Sequence, residues 1–483
     1  MATGGKRAHW LEVMNQELVF EPSLAFSILK LALGSQGGFA DLYGEERRSI
    51  SLRLEDGKIE QATVGMEQGA ALRVVRGDST LFGYVDFPTE AALINLARQL
   101  GSQTVRAEVR TGIQGQAGSQ GFLEAQLVNP EEAPPDYEVS SLAHFLHMAD
   151  EVARRASPEV RQVIVTFTSS QQKVWIANSE GLQANDVRLR TAFSLVVAAQ
   201  RDGVLQTARD TLAWLGGPEC LEQSKVMSLA NKVARTAVDL LDARPAPAGR
   251  LAVVIANGFG GVLFHEACGH GLEADHVAKK SSVWEEKIGE RVAPSCVSAF
   301  DDGTLPGMWG SGKCDDEGTP CQRTMLIAEG VLTAYLTDRL RASQLGLAHT
   351  GNGRRQDYRS LPYPRMTNTF IAPGSATKDA LIADTKHGLY AKSFSGGQVN
   401  PATGDFVFGV EEGYLIENGR ITAPVRGATL IGNSLRVLEH IDGIADDLEI
   451  RAGTCGKEGQ SVPVGSGQPT LRVREMTVGG TGL

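Results

Sequence analysis

The sequence predicts an α+β protein: an N-terminal α/β-type region of antiparallel sheets and helices, followed by a β-rich C-terminal domain that carries a short helix with two histidines and a glutamate. Three observations predict it. In the first half, helical spacing of apolar residues and strict alternation take turns, which suits antiparallel sheets covered by helices. Arg244-Pro245-Ala246-Pro247-Ala248-Gly249 then breaks both periodicities, because two prolines and a glycine cannot continue a helix. Beyond it the chain is rich in glycine and short alternating runs, as at 325–332 and 413–421.

Each element has its own signal. Leu24, Ile28 and Leu31 recur at helical intervals over 23–33, and Gly34 follows as a stop. Residues 39–43 and 49–54 read as strands, with Asp56-Gly57 as a hairpin turn before Ile59. Residues 70–75 and 81–85 continue the sheet, and 89–100 is a helix opened by an acidic first turn. The stretch 111–135, rich in Gly, Gln and Pro, reads as a connection, so that 1–110 and 111–243 are an N-terminal and a central α+β subdomain. A helix over 140–156 bears His144 and His147, which are expected to line its face. Strands at 163–169, 173–178, 181–190 and 191–200 follow as a meander, with Ser179-Glu180-Gly181 as a turn. A helix over 221–241 closes this half, 244–249 reads as a stiff linker, and 250–483 is the C-terminal domain, with hairpin turns at Glu329-Gly330 and Asn418-Gly419.

Composition narrows the function classes. A chain of 483 residues exceeds one ordinary core, and 42% hydrophobic with 22% charged residues is a globular balance. A net charge of −10 without a dense Lys/Arg run argues against nucleic acid or an anionic membrane as the main partner. The first 21 residues lack an apolar h-region and no stretch approaches the roughly 20 apolar residues of a membrane span, so a cytoplasmic protein is expected. The six cysteines have no C-x-x-C spacing, which argues against a disulfide framework or a zinc ribbon and for reduced thiols.

The chemistry concentrates at 251–271. An apolar β-branched run reads as a buried strand, Asn257-Gly258-Phe259-Gly260-Gly261 as a glycine turn, and Val262-Leu263-Phe264 as a helical turn ending in His265-Glu266-Ala267-Cys268-Gly269-His270. Two imidazoles and a carboxylate on one short element suit metal-assisted hydrolysis, with His265 and His270 as ligands and Glu266 as general base. Their offset of five differs from the i, i+4 spacing of H-E-x-x-H and sets the histidines about 140° apart on a regular helix. Both reach one ion only if the turn is distorted, for example by a π-type bulge, and Gly269 supplies the backbone freedom. A catalytic zinc commonly takes a third protein ligand, and the residues alone leave Cys268, His276, Cys314, Cys321, Cys455 and nearby carboxylates open.

Six blocks extend the pattern: His265-Glu266-Ala267-Cys268-Gly269-His270-Gly271-Leu272-Glu273, Asp315-Asp316-Glu317-Gly318-Thr319-Pro320, Gly351-Asn352-Gly353-Arg354-Arg355, Pro364-Arg365-Met366-Thr367-Asn368-Thr369, Gly396-Gly397-Gln398-Val399 and Cys455-Gly456-Lys457-Glu458-Gly459-Gln460. Together and in this order they resemble the TldD subunit of the TldD/PmbA metallopeptidases, from about Phe39 to the end. The resemblance implies one zinc ion held by His265, His270 and Cys455, with Glu266 as base. It implies a peptidase acting on unfolded or extended peptides, in some bacteria trimming the leader of modified peptides. It also implies a homologous partner subunit, TldE or PmbA, that lacks the metal motif. Arg354, Arg355, Gly396 and Gly397 are candidate substrate contacts, with Arg354 and Arg355 either donors to a developing oxyanion or a solvated loop face, and Asp315-Asp316-Glu317 is either a support for a ligating histidine or a plain turn cluster. Two other classes compete: a non-catalytic peptide-binding scaffold, which would not need His265 and Glu266, and a cysteine hydrolase using Cys268, Cys314 or Cys455 with a histidine.

Overall fold

The computed structural model describes residues 21–103 and 139–480; the expected connection at 111–135 lies outside them. Helix α1 (Pro22–Leu33) leads into strands β1 (Phe39–Glu55), β2 (Lys58–Arg76) and β3 (Ser79–Asp86) and helix α2 (Glu90–Ser102), whose first turn is capped by Thr89 accepting from the Ala92 amide at 3.2 Å. After α3 (Val139–Ala156) come β4 (Val160–Asn178), β5 (Gln183–Arg201), β6 (Val204–Leu215) and α4 (Gln223–Asp239). All six strands form one antiparallel sheet in the order β3-β2-β1-β4-β5-β6, so segments 39–86 and 160–215 share it through the β1–β4 pairing. Its apolar faces pack beneath helices: Ile28, Leu72 and Leu93 in one core, Leu146, Phe167, Phe193 and Val233 in another.

The expected strand pairs 39–43 with 49–54, 163–169 with 173–178 and 181–190 with 191–200 are each one long strand. The expected break at 44–48 is polar because Glu45 and Glu46 are buried there, paired with Arg47 at 2.8 Å and Arg48 at 3.0 Å. Strand β6 was passed over in the sequence, although Asp202-Gly203 before it repeats the Asp56-Gly57 turn, with Asp56 and Asp202 both at positive φ.

Residues 244–249 do not run free. Arg244–Pro245 (β7) pairs in parallel with Arg420–Arg426 at a sheet edge, where proline's missing donor is tolerated, and Ala246 is fully buried. Strand β8 (Gly249–Ile255) then joins a closed barrel, in which His387–Val399 pairs on one side with β8 and on the other with Asp405–Glu417, and the ring continues through Thr429–Asn433 and Leu471–Gly479. A second sheet runs in the order Val331–Leu332, Arg323–Ala328, Ala299–Asp302, Asn368–Ile371, Gln460–Gln468, Glu449–Lys457. The motif helix lies against this sheet: a Cβ on Gly261 would meet Gly467 backbone at 2.4 Å, so only glycine permits that approach.

The first sheet docks on the C-terminal domain through buried ion pairs. Arg73 bonds Asp41 beside it and Glu317 across the interface at 2.6 Å, and Arg188 bonds Asp186 at 2.9 Å and Asp316 at 2.6 Å. Asp315-Asp316-Glu317 is therefore neither a support for a histidine nor a plain turn cluster; it clamps the two parts of the chain together. Burial works against ionisation of Glu317, yet the Arg73 guanidinium holds its carboxyl below the usual range.

Candidate metal centre

After β8, Gly258–Gly260 makes a short 3-10 turn, Gly261–Phe264 one α-helical turn, and His265–Gly269 a π-helical turn. This is the distortion that the five-residue offset demands. It brings the two imidazoles edge to face with centroids 5.1 Å apart. Gly269 has ordinary right-handed helical dihedrals, φ −54° and ψ −51°, so the expected backbone freedom is not used there; a Cβ would strike the Met366 sulfur at 2.1 Å, and packing is what requires glycine.

Cys455 completes the group from a strand nearly two hundred residues on. One donor atom from each of His265, His270 and Cys455 lies within 4.8 Å of the others, all three residues are buried, and Cys455 Sγ is 3.4 Å from His270 Nε2. The flanking glycines do not explain this placement: a Cβ on Gly456 would meet nothing within 4 Å, and on Gly453 nothing closer than 3.8 Å. Strand register does, with Cys455 opposite Val462 and its carbonyl held by Arg365 Nη2 at 2.6 Å. Burial raises the Cys455 thiol, but the two imidazoles outweigh it and hold the thiol well below its ordinary value. Nδ1 of His265 is buried without a hydrogen-bond partner among the described residues. Two imidazoles and a thiolate converging in a buried site fit zinc better than a hard oxygen-seeking cation.

Glu266 is the motif's carboxylate with access to water, its side chain 26% exposed and its Oε2 3.7 Å from His270 Nε2. Cys268 points instead into the apolar core beside Leu263 and Phe264, and burial pushes its thiol far up. Cys314 lies in the small core between the two parts of the chain, with Tyr43 and Tyr358, and burial drives Cys321 up to about 12. His144 and His147 are exposed on α3. His276 joins Glu273 and Asp275 in a second donor group, but the Lys457 ammonium already lies 2.9 Å from Glu273 and 2.6 Å from Asp275.

The remaining candidates lie elsewhere. Arg354 is buried, its guanidinium bonded to the carbonyls of Met366 and of Pro463, the latter at 2.6 Å. Arg355 stacks over Tyr43 at 4.3 Å and binds the Asp316 carbonyl at 3.1 Å. Gly396 and Gly397 are exposed on the barrel, where a Cβ on Gly397 would collide with the Phe408 ring at 2.1 Å.

Three neighbours of the centre were not read from the sequence. Glu273 Oε2 accepts from His270 Nδ1 at 2.9 Å, fixing the ring so that Nε2 faces Cys455. Lys457 binds Glu273, Asp275 and the Pro364 carbonyl, tying the strand of Cys455 to the helix of His270. Arg365 is fully buried, and its Nε and Nη1 have no hydrogen-bond partner among the described residues. The first two had signals: Glu273 lies one helical turn beyond His270, and Lys457 shares a strand face with Cys455. Arg365 had none.

A cavity of about 560 Å³ separates the first sheet from the C-terminal domain, lined by Thr168, Arg209, Phe259, Trp309, Ser393 and Thr454. It borders Phe259 in the turn before His265 and Thr454, whose side chain stands with that of Pro463 on the ribbon face opposite Cys455. Two end strands border it, β6 of the first sheet and Glu449–Lys457 of the second.

Comparison with known proteins agrees with this arrangement along the chain. Residues 40–103, 129–241 and 248–480 match the models of PmbA/TldA metallopeptidase domain 1, central domain and C-terminal domain. The metalloprotease TldD homolog of Haemophilus influenzae is 40% identical over 459 residues, covering 92% of this chain and 93% of that one. The zinc metalloprotease TldD homolog of Saccharolobus solfataricus is 35% identical over 256 residues, 52% of this chain and 56% of its own. TldE from Thermococcus kodakarensis has the same fold at 17% identity, with a TM-score of 0.73 over 94% of this chain and 99% of its own. The chain is a member of the PmbA/TldD metallopeptidase family.

Proposed function

We propose that this chain is a cytoplasmic zinc peptidase that hydrolyses unfolded or extended peptides, holding one zinc ion on His265, His270 and Cys455. The observation that carries the reading is the meeting of these three buried donors beside a carboxylate open to water. Zinc, when bound, supplies Lewis acidity toward a peptide carbonyl and a water. Glu266 takes the proton from the attacking water and returns it to the leaving amine. Glu273 holds His270 in one tautomer, and Lys457 holds Glu273.

The cleft favours an extended chain. The end strands β6 and Glu449–Lys457 offer unpaired main-chain groups to a substrate strand, and a folded domain does not fit about 560 Å³. Leader segments of modified peptides, unfolded by nature, belong to this substrate class. A homologous TldE-like subunit without the metal motif is the proposed partner.

The test is metal analysis of the purified chain combined with digestion of an unfolded protein and its folded form, with and without chelator. One zinc per chain and chelator-sensitive cleavage of the unfolded form alone are expected. Full activity in thoroughly metal-free protein, abolished by thiol alkylation, would instead establish a cysteine hydrolase built on Cys455 and His270.

A further inference from the structure

A second cavity, of about 170 Å³, lies between the first sheet and the C-terminal domain and is walled by arginine: Arg47, Arg188, Arg190, Arg354 and Arg355, with Asp316 as the one carboxylate in its lining. Its floor follows from strand register. Gln172 pairs laterally with Arg47 and Arg188, Ser170 with Ser49 and Arg190, and Thr168 with Ser51 and Ala192, so alternation turns hydroxyl, amide and guanidinium groups to this side of the sheet.

The charges here do not balance. Arg47 is paired with Glu45, Arg188 with Asp186 and Asp316, and Arg355 lies 3.7 Å from Asp41. Arg190 and Arg354, both nine-tenths buried or more, have no carboxylate partner among the described residues. Arg190 donates only to the carbonyls of Trp309 and Ser311, at 3.0 and 3.4 Å, and Arg354 only to those of Met366 and Pro463. Buried charges are ordinarily paired, because leaving one without a counter-ion costs several kcal/mol. Burial and the neighbouring Arg188 and Arg354 press the Arg190 guanidinium down to about 9, more than the nearby Asp186 and Asp316 carboxylates offset.

We propose that this cavity is an oxyanion-binding site, in which Arg190 and Arg354 grip a carboxylate or phosphate-type group and Ser170 stands by as a neutral donor, while the Gln172 amide is engaged by Glu45 at 3.1 Å. The site is distinct from the metal centre. Cys455 pairs with Val462, so their side chains share one face of the ribbon, while Ser461 and Pro463, which line the cavity, stand on the other. It also adjoins the larger cleft, with Thr168 and Trp309 lining both. The oxyanion has two sources: an acidic group of a peptide lying in the cleft, or a free anion such as inorganic phosphate.

The test does not depend on peptidase activity. The metal-loaded full chain is melted in chloride and in inorganic phosphate at matched ionic strength. Phosphate is expected to raise the Tm of the wild type by at least about 2 °C. Arg190→Gln should lose that increment while its Tm in chloride equals or exceeds that of the wild type, since the unpaired charge is gone and a donor for the Trp309 carbonyl remains; a merely structural arginine would lower it. Arg354→Gln serves as the independent second variant. On a Glu266→Ala background, binding of two peptides that differ by one glutamate-to-glutamine change is then compared. A glutamate preference of tenfold or more that disappears with Arg190→Gln identifies the peptide as the source, and a phosphate response without it identifies the free anion. If neither phosphate nor the glutamate peptide distinguishes the wild type from the two arginine variants, the proposal is overturned.

Discussion

Replacing Lys457 by methionine should damage the candidate metal centre without touching a proposed ligand. The Lys457 ammonium lies 2.9 Å from Glu273 and 2.6 Å from Asp275, its side chain 6% exposed and both carboxylates fully buried. Lys457→Met keeps the aliphatic stem and strands two carboxylates in the interior. Removing one partner of a buried pair typically costs about 3–5 kcal/mol, a large part of the roughly 5–15 kcal/mol that holds a domain folded. Urea unfolding of the chelator-treated chain, followed on the transition that includes the C-terminal domain, should show a loss of that size. Combined with Glu273→Gln, which removes one of the stranded charges, the loss should be smaller than the sum of the two single changes. A loss below about 1 kcal/mol, or strict additivity, would refute the view that Lys457 locks the helix of His270 to the strand of Cys455.

Three further outcomes are expected. Glu266→Ala should retain zinc at wild-type stoichiometry and lose hydrolysis by a factor of about 10² or more, read by metal analysis beside a digestion assay. Cys455→Ser should weaken zinc binding strongly in a chelator competition while Cys268→Ala leaves it largely intact; the reverse result would make the local thiol the ligand. Burial and Glu317 raise Asp338 from 3.8 to about 7, so its contribution to stability is full below pH 3.8, falls by up to about 1.4 kcal/mol per pH unit toward pH 7 and is gone above it. Asp338→Asn, which can still cap the Arg341 amide, should flatten that window in stability measured from pH 5 to 8.

What was legible in the sequence was local. The five-residue offset between His265 and His270 has few helical solutions, and the π turn over His265–Gly269 is one of them. Thr89, Asp56-Gly57 and Gly34 mark element ends because caps and turns are decided within a few residues. The interior of β1 was misread for the opposite reason. Glu45-Glu46-Arg47-Arg48 interrupts the alternation of the two expected strands, and only the C-terminal domain packed against that face of the sheet makes it part of one continuous strand, as Arg47 bonding the Gln356 carbonyl at 2.8 Å illustrates.

The same blindness hid the roles of the charged runs. Asp315-Asp316-Glu317 and Arg354-Arg355 read as loop residues until their partners are known, and those partners are distant: Arg73 is 244 positions from Glu317, and Arg188 is 128 from Asp316. Hydrophobic periodicity carries no such pairing, since any arginine satisfies any carboxylate on paper. Cys455 was reached by resemblance alone, and its glycine neighbours are not what places it. Its sulfur meets the histidines because the register of Glu449–Lys457 against Gln460–Gln468 turns alternate residues toward the helix, which puts Cys455 and Lys457 on one side. The proposed ligand and its support thus arrive together on one strand, and a change in that register would remove both at once.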